Sequence, residues 1–175
     1  MRGLRNQNQV TRHRALRALG KITSAAEACR ALDAPMFTDV VGRLTDVLTE
    51  LVVMLNPDNE VRGDGFGATA AICLANVVGT DADRFWLITF TEDVLGWVVE
   101  HVKMVAEGTA VDEWELRDVV PALRTLAKLP KNRGVLARVE LATVPTLVRV
   151  LRRCVEQADA RSAEHAAETL ALLAA

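Results

Sequence analysis

Residues 141–154 read LATVPTLVRVLRRC, and residues 162–174, beyond a polar break, read SAEHAAETLALLA. In the first run Val144, Leu147, Val148 and Leu151 recur at i, i+3, i+4 and i+7. In the second, Ala166, Ala167, Leu170 and Leu173 gather on one side. A repeat near 3.6 residues puts each set on one helix face. Two such helices joined by a short turn cannot bury both stripes alone. The stretch therefore predicts a helical hairpin that stacks on similar hairpins.

Similar runs lie upstream. Asp39 to Leu55 carries Val40, Val41, Leu44, Val47, Leu48 and Leu51, a stripe broad enough for contacts on two sides. The turn Asn56-Pro57-Asp58-Asn59 separates it from a buried helix ending at Val78. A helix over 91–107 carries Val94, Leu95, Val98, Val102 and Val105 and stops at Gly108. Residues 111–129 form the next, with Pro121 opening or kinking it. Pro130, Lys131 and Asn132 turn the chain into a short helix near 133–140. The inner helices thus end near Val78, Leu129 and Ala174, a period in the high forties.

Composition agrees with close-packed helices. Half of the 175 residues are apolar, only 4% are aromatic and Tyr is absent, so Ala, Val and Leu fill the interior. Cys29, Cys73 and Cys154 are odd in number, far apart and on apolar stripes, which reads as buried thiols in a reducing compartment. Neither a membrane-spanning run nor a secretory h-region is present.

The net charge of −2 is unevenly placed. Residues 1–21 carry +6, 22–80 carry −5, 81–118 carry −7, 119–153 carry +7 and 154–175 carry −3. In a stack, sequence blocks become layers, so charged bands are expected on the surface. Residues 1–21 form a basic N-terminal segment or first helix, with 9–19 helical and closed by Gly20. Its Arg-rich, acid-free character also suits a mitochondrial presequence, an alternative to a cytoplasmic location. Ser24-Ala-Ala-Glu27 has the form of a capping box opening the next helix.

At this point the chain resembles the armadillo repeat. Asn132-Arg133, Val135-Leu136 and Val144-Pro-Thr-Leu-Val-Arg-Val-Leu151 are similar to that family's second-helix pattern. Ala167-Glu-Thr-Leu-Ala-Leu-Leu-Ala174 is similar to its third helix, as are Glu60-Val61 with Leu74-Ala-Asn-Val77, and Ala122-Leu-Arg-Thr-Leu-Ala127. The resemblance covers residues 36–174 and is shared with HEAT-type repeats. It implies an all-α, right-handed superhelix of three to four units over residues 22–175, with third helices lining a groove for a peptide or helix. The family's ligand-clamping Asn falls on Asn76, but Ile72 stands where its Trp would be. Thr125 with Pro121, and Leu172 with Glu168, interrupt the ladder further.

The expected function is a non-catalytic protein-interaction scaffold without cofactor or metal, its groove marked by Asn76, Ile72 and Thr125. A basic patch of Arg124, Lys128, Lys131, Arg149, Arg152 and Arg153 suits an acidic partner. The alternative is a nucleic-acid or organellar ribonucleoprotein component using residues 1–21 and 124–153, although aromatic interleaving is absent. The Ala/Leu-rich last helix is expected to be covered by a partner, by another copy or by chain outside this sequence.

Weaker signals point nowhere specific. Gly63-Asp-Gly65-Phe-Gly67 lacks the Lys of a phosphate loop and the preceding strand of a dinucleotide site. These glycines are read as letting helices approach closely or as marking a bend. Arg62-Gly63-Asp64 is a coincidental adhesion tripeptide. His13, His101 and His165 have no ligand spacing. Asp112, Glu113, Glu115 and Asp118 complement a helix dipole. Phe85, Trp86, Leu87, Ile88 and Phe90 are core, or a contact anchor if exposed.

Overall fold

Helix α1 spans Gln9–Arg30, α2 Phe66–Val78, α3 Glu92–Glu107, α4 Leu116–Lys128, α5 Pro130–Leu136, α6 Thr143–Gln157 and α7 Ala160–Ala174. The computed structural model describes residues 9–30, 66–78, 88–110 and 114–175, and among these there are seven α-helices and no strand. The chain is all-α over the described residues. The predicted 39–55 helix, the turn at 56–59, Glu60 to Gly65, Phe85 to Leu87, Asp112 and Glu113 lie outside them.

Local chemistry sets the helix limits. Thr91 precedes α3 in extended backbone, and Glu92 and Asp93 in its first turn complement the positive helix end. Val94, Leu95, Val98, Val99, Val102 and Val105 make its buried stripe. Gly108 ends it in the left-handed region (φ 71°), where glycine lacks a Cβ to clash. Its N–H donates to the Val105 carbonyl and the Thr109 N–H to that of Met104.

The α6–α7 turn repeats this geometry fifty residues later. Ala158 is also left-handed (φ 55°), its N–H donates to the Val155 carbonyl, and the Asp159 N–H to that of Cys154. Asp159 then caps α7, accepting from the Ser162 N–H at 3.0 Å and from the Ser162 hydroxyl at 2.5 Å.

Like helices lie against like. Helix α2 packs on α4 and α4 on α7, while α3 packs on α6. Within the hairpins α3 meets α4 and α6 meets α7, and α1 lies against α2 and α4. The core runs through these contacts, with Ile72, Leu74, Leu95, Val98, Leu123, Leu126, Leu136 and Leu147 fully buried.

Three expectations change at α1 and α5. Helix α1 continues through Gly20 to Arg30. Gly20 is not a stop but a seat: a Cβ there would overlap the Trp114 ring. Ser24 does not open a helix either, since its hydroxyl and that of Thr23 each donate to the Gly20 carbonyl at 2.9 Å. Pro130 is the first residue of α5, where its missing N–H costs nothing. The closeness expected of the glycines holds at Gly67, where a Cβ would stand 2.6 Å from Trp97 ring carbons.

Candidate interaction face

The three groove residues are inside. Ile72 is fully buried, and Asn76 and Thr125 are almost fully so. Asn76 serves a polar seam: its Nδ2 donates to the Asp118 carbonyl at 3.2 Å, beside Ser24. The Ser24 hydroxyl also donates to the Asp118 carbonyl at 3.3 Å. The buried Asp118 carboxylate accepts from the Glu115 N–H at 2.9 Å and pairs with Lys21. Asn76 thus ties α1, α2 and α4 together and does not face an open groove. Asp118, read as a dipole-compensating residue, sits in the first turn of α4 as expected and carries this seam as well.

The basic residues are spread over α4, α5 and α6, and Arg124, Arg149 and Arg153 are ion-paired. Arg124 Nη1 meets Glu168 Oε2 of α7 at 3.0 Å, and Arg149 pairs with Glu107 of α3. Arg153 meets Glu156 at 3.0 Å. Arg138 similarly pairs with Glu92. Three of these four contacts join the basic block 119–153 to acids of a neighbouring helix pair. The alternating charge blocks therefore meet at packing contacts, each exposed pair contributing at most about 1 kcal/mol. Lys128, Lys131 and Arg152 are exposed.

The α6 stripe divides. Leu147 is fully buried, with Thr146, Val150 and Cys154 on its side. Val144, Val148 and Val155 are 45%, 39% and 82% exposed, and Leu151 between them is half-buried. These four share one face, because 144, 148, 151 and 155 are spaced by three and four residues. On α7, Ala166 is buried, Ala167 exposed, and Leu170 and Leu173 half-buried. The open apolar surface thus centres on α6 instead of the last helix.

A cleft of about 670 Å³ opens where the two hairpin turns meet, bordered by Gly108, Trp114, Arg117, Arg153, Ala158 and Asp159. Arg117 is bonded to Glu115 at 2.9 Å and Asp159 is occupied by its capping role, so mixed charges line a structural junction. Burial pushes the Cys73 thiol up to about 12 and the Cys154 thiol up to about 11, the latter aided by the Asp159 charge. Thiols held protonated are poor nucleophiles. His101 lies edge-on to Trp114, ring centres 5.7 Å apart, and His165 is buried in α7. No three metal-ligating side chains gather among the described residues. No helix among those residues is long and apolar enough to cross a membrane.

Two residues with large structural roles escaped the sequence reading. Trp114 bridges α1 and α3, its ring against Gly20 and beside His101, and nothing local announces its contact with Gly20. Asn132 was read only as a turn residue and part of a motif. It is buried, donating to the Ile88 carbonyl at 2.7 Å and accepting from the Phe90 N–H at 3.2 Å. Its amide offers a donor and an acceptor together, which suits a buried strap of backbone.

The chain matches no family model, no curated protein and no solved structure.

Proposed function

We propose that the chain is a non-catalytic helical-repeat scaffold of armadillo or HEAT type that binds another protein through the outer side of its α6–α7 pair. Like-on-like packing supports the repeat: α2, α4 and α7 follow one another, as do α3 and α6. The matching left-handed turns at Gly108 and Ala158 support it further. The observation that carries the binding role is the exposed row of Val144, Val148 and Val155 on a helix whose opposite side is buried. Aliphatic side chains clustered on one exposed face mark interaction surfaces.

The nucleic-acid reading draws less support, because Arg124, Arg149 and Arg153 already hold carboxylates. It is separated by titrating RNA at two salt concentrations, where phosphate contacts give steep salt dependence. The scaffold reading is tested by isolating bound protein, purifying it and reconstituting the complex. A stoichiometric complex is expected, with hydrogen-exchange protection in α6 and α7. Failure of any candidate to reconstitute would remove the reading.

A further inference from the structure

We propose that the open face of α6 receives an amphipathic helix of a partner protein, apolar on one side and acidic along its flank. This rests on the scaffold reading and deepens it. Val155 lies eleven residues beyond Val144, a row of roughly 16 Å at 1.5 Å per residue, three turns of a facing helix. A helix in groove contact is read through just such i, i+4, i+7, i+11 anchors. The α6 backbone is hydrogen-bonded within its own helix, so an added strand finds no edge there.

Charge selects the kind of helix. Helix α6 holds Arg149, Arg152 and Arg153 against Glu156 alone. On its covered side α6 meets α7 and α3, and α3 is an apolar-striped helix whose Glu107 meets Arg149. On its open side stands Arg152, exposed, four residues from Val148 and three from Val155, with no carboxylate bonded to it among the described residues. A docked helix meets the same demands as α3: apolar side chains for the valines and a carboxylate for the guanidinium. Such a pair favours the right partner and disfavours basic ones. A second copy of this chain would bring another basic α6 to a basic α6 in a self-complementary contact. Single-stranded RNA would find no aromatic platform on this face.

The test uses the full chain and two labelled synthetic helical peptides. Both carry leucines at i, i+4, i+7 and i+11; one has glutamates on the flanks, the other lysines at those positions. Fluorescence anisotropy is expected to show the glutamate peptide binding roughly tenfold more tightly, with the margin shrinking as salt rises. Val148→Asp should abolish binding, and Arg152→Glu should reverse the preference. Both positions are exposed, and circular dichroism verifies that the helices persist in each variant. Equal affinity for the two peptides, absence of binding, or binding unchanged by Val148→Asp would overturn the inference. So would a dimer, seen by light scattering, that Val148→Asp dissolves, for then the face belongs to a second copy. If the reconstituted complex survives Val148→Asp, the scaffold reading stands on another surface and only this inference falls.

Discussion

Helices α3 and α6 end alike, but the hairpins they open do not share a fate. Both turn through a left-handed residue with the same two backbone hydrogen bonds, at Gly108 and at Ala158. Helix α4 has α2 on one side and α7 on another, and ten of its thirteen residues are buried. Helix α7, seated on α4 and α6, buries only four of fifteen. The difference teaches that local signals build a hairpin, while neighbours decide how much of it is core.

The largest expected effect tests that contrast directly. Leu123→Ala in α4 empties a fully buried site and is expected to cost about 3 kcal/mol. Leu170→Ala in α7, at a half-buried site, should cost about 1 kcal/mol. Urea unfolding of both variants checks the gap, and equal losses would mean that α7 is as enclosed as α4. Next in size, Gly67→Ala forces a methyl against Trp97 and should cost about 2 kcal/mol, read by thermal unfolding. Asp159→Ala removes the α7 cap and should cost about 1 kcal/mol, with fraying at Ala160–Ser162 visible by hydrogen exchange.

The two turns give opposite signs in a paired experiment. Gly108→Ala should lose about 1 kcal/mol and Ala158→Gly gain somewhat less, since only the former adds a Cβ in left-handed backbone. Identical signs would show that the turns are not equivalent. The smallest effect near neutrality comes from the thiols. Cys73 and Cys154 have raised folded values, about 12 and 11 against an ordinary 9.0. The unfolded thiols ionise first, so their contribution is intact below pH 9 and stability falls as pH climbs from 9 toward the folded values. A pH series of urea midpoints should show the decline, and it should shrink in Cys73→Ala.

The helices of the two hairpins were legible because their signals are short-range. Gly108 stops α3 within a residue of the expected place, and valine spacing marks its buried side. The ends of α2 and α7 at Val78 and Ala174 were equally plain. What failed was anything decided across the chain. Gly20 reads as a helix stop until Trp114, ninety-four residues later, fills the space it leaves. Asn76 reads as a surface clamp until Asp118, forty-two residues later, presents a carbonyl to it. Val144, Leu147 and Val148 form one apolar set in sequence, but only Leu147 meets a neighbour that buries it completely. Periodicity tells which side chains avoid water; it does not tell which of them find cover.

The seat of Trp114 has an optical consequence. Its indole rests on the bare Cα of Gly20 with the His101 ring at its edge, nearly sealed from solvent. Lifting α1 away would wet that ring and move its emission to longer wavelength. With Trp86 and Trp97 replaced by Phe, the remaining indole becomes a built-in gauge of whether the first helix is docked, readable without any added dye.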